Sequence, residues 1–346
     1  MNLNIKSADI VVGCSFGDEG KGKVVFDLLK NNHYDLCVRF NGSGNAGHTI
    51  YHNSQKFVVH QLPIGVILPN VLNLISSNCL IDLPKLKIEL EELSTLGITI
   101  HNRLFVSKAC HVITQECIDF DKQNNKIGTT GSGIGPTYSQ KMLRIGKRAE
   151  EFEKELLDLG IQLVDMRRFW YNNPNSIFHN IHNILFEGAQ GFELDIDWTD
   201  HYPYCTSSTC TTAGAINTGF PFHKINKIFG VSKIYDTYVG LYEFQPKEYT
   251  NELNLIGDLG HEFGATTGRR RQCNYLNLDS LKEALLINQC NVCIINKIDI
   301  LIELELFKLY HNHELITFSN WENMREFIQN ELHFLQVIFS NNPFSI

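Results

Sequence analysis

The chain has 346 residues, 43% of them hydrophobic and 20% charged, the balance of a folded globular protein and not of a disordered one. Lys and Arg number 30 against 38 Asp and Glu, a net charge of -8, so a global basic field for nucleic acid is absent. No apolar run reaches the ~18 residues of a membrane span, and the first six residues lack a signal-peptide core, so a cytoplasmic protein with no membrane partner is expected.

Residues 8–12 form an apolar run stopped by Gly13, which predicts a buried strand feeding a loop. That loop, Gly13-Cys14-Ser15-Phe16-Gly17-Asp18-Glu19-Gly20-Lys21-Gly22-Lys23, carries glycines that let backbone N–H groups approach an anion, and a helix follows it over 23–30. Lys21 or Lys23 can hold a phosphate as a point charge. The spacing is not that of G-x-x-x-x-G-K-[ST], so a standard P-loop is excluded here. A carboxylate inside a phosphate loop repels its ligand unless it binds Mg²⁺ or removes a proton, and Asp18 is assigned to that chemistry.

A strand over 35–40 runs into Asn41-Gly42-Ser43-Gly44-Asn45-Ala46-Gly47-His48-Thr49. This contains G-x-G-x-x-G, but no acidic residue stands ~20 positions on, as a dinucleotide site requires. His48 on such a loop is a candidate acid or phosphate donor. A strand at 71–75 and a helix at 83–93 lead to Gly128-Thr129-Thr130-Gly131-Ser132-Gly133, where hydroxyls and backbone amides suit a monophosphate, with Lys141 and Arg144 beyond. A helix over 150–159 and a strand over 183–186 precede Glu187-Gly188-Ala189-Gln190-Gly191 and Tyr202-Pro203-Tyr204-Cys205-Thr206-Ser207-Ser208. Gln190 can read a base or amide edge, and the hydroxyl cluster suits phosphate.

After a strand at 227–234 comes Gly264-Ala265-Thr266-Thr267-Gly268-Arg269-Arg270-Arg271, whose arginines suit carboxylate and phosphate clamping. A helix over 279–288 and a strand over 291–295 lead to Asn296-Lys297-Ile298-Asp299, where an Asp can accept from N1–H and the 2-amino group of guanine. A last helix is expected at 321–332. The ten cysteines form no dense framework; Cys290 and Cys293 are expected to pack as buried thiols, because a zinc site needs two further ligands. The alternation of strands and helices predicts one continuous α/β domain spanning 1–346, built on a mainly parallel twisted sheet with flanking helices. In such sheets the loops gather at the carboxyl ends of the strands, where ligands bind.

Together these segments resemble the adenylosuccinate synthetase family, which runs G-D-E-G-K-G-K, N-A-G-H-T, I-G-T-T-G-x-G-I-G-P, E-G-A-Q-G, Y-P-Y-x-T-S-S, E-F-G-A-T-T-G-R-R-R and K-x-D in the same order. The resemblance implies a P-loop-NTPase-like fold and a ligase that joins L-aspartate to C6 of IMP with GTP hydrolysis, through a 6-phosphoryl intermediate. It implies that Asp18 takes the N1 proton, that His48 stabilises the transferring phosphoryl group, and that Lys21 and Gln190 complete the catalytic set. Asn45, Thr130, Thr206 and Arg144 would hold IMP, with Arg144 reaching across a homodimer. Thr267, Arg269 and Arg271 would grip aspartate. Gly17, Gly20, Lys21, Gly22 and Thr49 would meet the phosphates of GTP, and Lys297 and Asp299 its guanine. Mg²⁺ would lie on Asp18 and the Gly47 carbonyl. A short phage branch resembling the same family acts on dGMP in place of IMP and makes 2-aminoadenylosuccinate; with ATP as a possible donor it is the alternative reading. A non-catalytic nucleotide switch is a further one, and it would be marked by loss of Asp18, His48 or the arginines. None is lost.

Overall fold

The structure, a computed structural model, describes residues 5–45, 47–53, 55–124, 127–170, 177–264, 268–342 and 346. Its centre is a nine-stranded sheet in which every pairing is parallel. In chain order the strands are β1 (Ser7–Gly13), β2 (Leu36–Arg39), β3 (Leu72–Ile75), β4 (Leu104–Ser107), β5 (Gln162–Val164), β6 (Asn183–Glu187), β7 (Ile225–Lys233), β8 (Val292–Asn296) and β9 (Gln336–Ser340). Across the sheet they stand 9-8-7-1-6-2-3-4-5. β1 therefore lies deep inside, with β6 on one side and β7 on the other.

The apolar runs are strands because both faces of this sheet are covered. Ile10 and Val12 of β1 pack into one hydrophobic core while Val11 points into the other. The same alternation recurs in β6, with Ile184 and Phe186 on one face and Leu185 on the opposite one, and in β8 with Cys293 and Ile295 against Ile294. A sheet buried on both faces needs apolar residues at successive positions, which is why these segments read as continuous runs without alternation. Each such side chain contributes about 1.5–3 kcal/mol when fully buried. Cys290 and Cys293 are both buried free thiols, as expected. Among the described residues, no helix is long and apolar enough to cross a membrane.

The expected helices form close to their predicted bounds: α1 (Lys21–Asn31), then Leu83–Thr95, Leu278–Ile287 and Trp321–Glu331. Three of them start on a polar cap: Asp82, Asn277 and Asn320 each accept a backbone N–H from the first turn, a device worth about 1 kcal/mol. The helix expected over 150–159 begins instead as a 3₁₀ turn, Ala149–Phe152, before Glu153–Asp158. β4, β5 and β9 were not anticipated, and neither were two hairpins, His48–His52 with Gln55–Val59 and Lys308–His311 with Glu314–Thr317. The polar stretch His311-Asn312-His313 lies at the turn of the second hairpin.

Candidate active site

The loops that end β1, β2, β6 and β8 meet at one edge of the sheet. The nearest neighbours of Gly17, where a Cβ would stand, include Gln190 at 3.8 Å; for Gly22 they include His48, at 3.0 Å. Gly20 caps α1 with φ +91°, the left-handed conformation that glycine tolerates best. It faces Asn296, whose Nδ2 donates to the Glu19 carbonyl at 2.7 Å. Four candidate residues that are not glycine also adopt positive φ: Asp18 (60°), Arg144 (65°), Gln190 (58°) and Lys297 (62°). Such backbone costs of order 1 kcal/mol or more each and persists where surrounding contacts enforce it.

The two acidic residues of the first loop part company. Glu19 is fully buried and folds back into its own loop. Its carboxylate accepts from the Ser15 and Gly17 amides at 3.2 and 2.9 Å and from Lys21 Nζ at 2.5 Å. It shapes the loop. Asp18 remains partly exposed, with a side chain 32% accessible. Ser15 donates its hydroxyl to Asp236, a buried carboxyl raised to about 6 by its burial.

His48 sits in a buried polar triad at the ends of β2 and β6. Its Nδ1 lies 2.6 Å from Glu187 Oε1, and Arg39 Nη1 reaches the same oxygen at 3.0 Å. Glu187 Oε2 accepts from the Ile64 amide at 2.8 Å. Burial pushes the Glu187 carboxyl up, but the His48 hydrogen bond and charge together with Arg39 outweigh it and hold the group below its usual range. Burial, then the Arg39 charge, lower His48. Glu187 is thus a carboxylate, and because a carboxylate only accepts, it fixes a proton on Nδ1 and leaves Nε2 for a ligand.

The triple-arginine stretch reaches the first loop. Arg271 Nη2 lies 2.6 Å from Asp18 Oδ2, and its Nη1 bonds the buried carboxylate of Glu262. Glu262 also accepts from Lys233 at 3.2 Å, Lys297 at 2.7 Å and the Tyr235 hydroxyl at 2.8 Å. Burial opposes ionisation there, but Lys233, Lys297 and Arg271 hold the carboxyl far below its ordinary value. Asp18, Arg271, Glu262 and Lys297 are therefore joined by one chain of charged contacts.

Of the remaining candidates, Asn45 accepts from Gln190 Nε2 at 3.1 Å, while Gln190 Oε1 is buried without a hydrogen-bond partner among the described residues. Thr206 donates to the Ser208 carbonyl at 2.9 Å, and Thr49 lies half-buried in the hairpin beside His48. Thr130, Arg144, Arg269 and Asp299 stand exposed. Gly47 precedes the first hairpin, and Thr267 lies outside the described residues. The three buried carboxylates Glu19, Glu187 and Glu262 were not singled out from the sequence for any role. Each stands inside a recognised motif or next to one, which was the available signal. A cavity of about 560 Å³ opens beside Ser15 and Phe16; its lining includes Glu193, Asp200 and Asp236 but no Lys or Arg, a lining that disfavours an anion.

As a metal site, Asp18 offers a hard carboxylate oxygen on a partly exposed side chain. Among the described residues no three His, Cys, Asp or Glu side chains converge as a cage. Such a donor set fits Mg²⁺, which is commonly held by one or two carboxylates together with substrate phosphates.

Comparison with known proteins agrees with the motifs. The family model described as adenylosuccinate synthetase matches residues 10–169 and 165–339. Adenylosuccinate synthetase of Phocaeicola vulgatus is 34% identical over 87% of this chain and 79% of its own length. That of Helicobacter pylori (strain Shi470) is 37% identical over 87% and 81%. The fully ligated adenylosuccinate synthetase from Plasmodium falciparum superposes with a TM-score of 0.84, covering 98% of both chains at 28% identity. Cyanophage S-2L succinoaminodeoxyadenylate synthetase, bound to dGMP and dATP as an energy donor, shares the fold with a TM-score of 0.75 over 98% of this chain and 93% of its own, at 21% identity.

Proposed function

This chain belongs to the adenylosuccinate synthetase family, and on that premise we propose how its own residues carry the reaction. The enzyme is a GTP-dependent ligase that joins L-aspartate to IMP and yields adenylosuccinate, GDP and phosphate. In this reading Asp18 removes the N1 proton of IMP, so that electron density moves to the 6-oxygen and that oxygen attacks the γ-phosphate of GTP. The phosphorylated oxygen then leaves as phosphate when the amine of aspartate attacks C6, and the lost amine proton restores neutrality. Chemistry of this kind is driven by positioning and charge stabilisation.

His48, aimed by Glu187, faces the transferring phosphoryl group. Lys21 and the amides of Gly17, Gly20 and Gly22 hold the nucleotide phosphates together with Thr49. Lys297 and Asp299 hold guanine. Gln190, Asn45, Thr130 and Thr206 hold IMP; the unpaired Gln190 Oε1 supports that role, because a buried acceptor is costly until a ligand donor satisfies it. Arg269, Arg271 and Thr267 grip aspartate. Asp18 and the Gly47 carbonyl hold Mg²⁺, which when bound neutralises charge on the phosphates.

Arg144 reaches the IMP phosphate of a partner subunit. A homodimer is supported by the apolar surface around it, where Met142, Leu143 and Ile145 are 68%, 64% and 66% exposed. The whole chain works as one α/β unit in the cytoplasm.

The observation that carries this reading is the Arg271–Asp18 contact at 2.6 Å, which unites loops some 250 residues apart in the sequence. Phosphate release in the presence of aspartate and Mg²⁺, with IMP or dGMP crossed with GTP or ATP, tests it. Turnover is expected with IMP and GTP and is expected to vanish in Asp18→Ala. Turnover with dGMP but not IMP would transfer the enzyme to the alternative substrate, and near-normal turnover of the variant would show that another base operates.

A further inference from the structure

Arg271 is more than nine-tenths buried, at 9% exposure, and its guanidinium is divided between two carboxylates. Nη1 is fixed on Glu262, itself fully buried and also bonded to Lys233, Lys297 and Tyr235. Nη2 lies 2.6 Å from Asp18, whose side chain is one-third exposed. Nε, which shares an edge with Nη2, is buried and has no hydrogen-bond partner among the described residues. A guanidinium edge made of Nε and one Nη is a fork that fits a carboxylate with two parallel bonds. Here that fork is half filled, and the group filling it is the residue assigned as the base.

We propose that Glu262 is a positioning residue that holds Arg271 by one edge, while Asp18 and the carboxylate of the incoming amino acid compete for the other. The proposal rests on the reading of Arg271 as an aspartate clamp. In this structure Asp18 occupies one arm of the fork. When IMP and the nucleotide engage Asp18, the Nε–Nη2 edge is released and accepts a carboxylate bidentately, at the place Glu262 dictates. The two ligand sets then reinforce one another, because the same displacement opens the clamp and frees the base.

Calorimetric titration of L-aspartate into the full-length protein without GTP, so that no turnover occurs, tests the exchange. Asp18→Asn removes the competing charge and is expected to tighten aspartate binding to the free enzyme about tenfold, the scale of one charge-assisted hydrogen bond. It is also expected to shrink the gain in aspartate affinity that IMP with GDP gives the wild type. Glu262→Gln is expected to weaken aspartate binding in both backgrounds while IMP affinity holds; where that variant fails to fold, Asp18→Asn alone decides. Aspartate binding lost in Arg271→Leu but unchanged in Asp18→Asn would overturn this proposal and leave the clamp intact. Binding undiminished in Arg271→Leu would overturn the clamp and the proposal with it.

Discussion

At the scale of single residues, buried carboxylates hold the candidate side chains in place. Glu187 keeps a proton on His48 Nδ1 through a 2.6 Å contact, so replacing it with Gln leaves shape but removes the charge that orients the ring. Steady-state kinetics of Glu187→Gln are expected to show kcat lowered about 10²-fold, the lower range of an acid–base contribution, with KM for IMP near the wild-type value. An unchanged kcat would separate His48 orientation from catalysis. Glu193 makes a second, independent prediction. Burial, then the charges of Asp236, Asp200 and Glu283, raise it from 4.5 to about 8, so between those values the folded state keeps a proton that the unfolded chain has released. Stability therefore falls as pH rises through that window, with Asp236, raised to about 6, adding to the same slope. Melting temperatures of Glu193→Gln measured from pH 4 to 9 are expected to decline less than those of the wild type; parallel curves would refute the assignment. Asp18 was legible in the sequence because a carboxylate in a phosphate loop demands an explanation. Glu187 and Glu262 were not, because what gives them their roles is complete burial against cations distant in the chain.

Among the elements, the strands read correctly are those buried on both faces, whose apolar runs have no other use. β5 and β9 escaped because they are edge strands, half-buried over most of their length, so their apolar pattern is diluted; β4 is as short and as buried as β2 and β3, and no glycine-rich loop follows it to mark its end. The loops were the most legible parts, since their glycines and hydroxyl residues cluster where one loop closely approaches another. Gly191 shows this. A Cβ there would collide with the Ser15 carbonyl and with Glu19 Oε1, so the loops ending β1 and β6 can touch only because this side chain is absent. Gly191→Ala is expected to cost about 1–3 kcal/mol in denaturant unfolding, the usual penalty of overpacking, and to weaken GTP binding. A wild-type midpoint would show that the two loops separate without loss.

For the molecule as a whole, the parallel sheet brings distant residues together: the loops carrying Asp18, His48, Gln190 and Lys297 each follow the carboxyl end of a central strand, and Arg271 reaches the first of them. The matched relatives are somewhat longer, since this chain covers about four-fifths of their length, yet every motif loop is retained. The family membership and the fold were thus written in the order of the motifs, whereas the charge network that joins them exists only in the folded chain. In the proposed reaction the purine 6-oxygen is phosphorylated and then leaves. Turnover of IMP carrying ¹⁸O at position 6, with GTP, aspartate and Mg²⁺, tests it by mass analysis of the released phosphate. One ¹⁸O is expected in each phosphate formed; phosphate free of label, alongside normal adenylosuccinate production, would rule out the 6-phosphoryl intermediate.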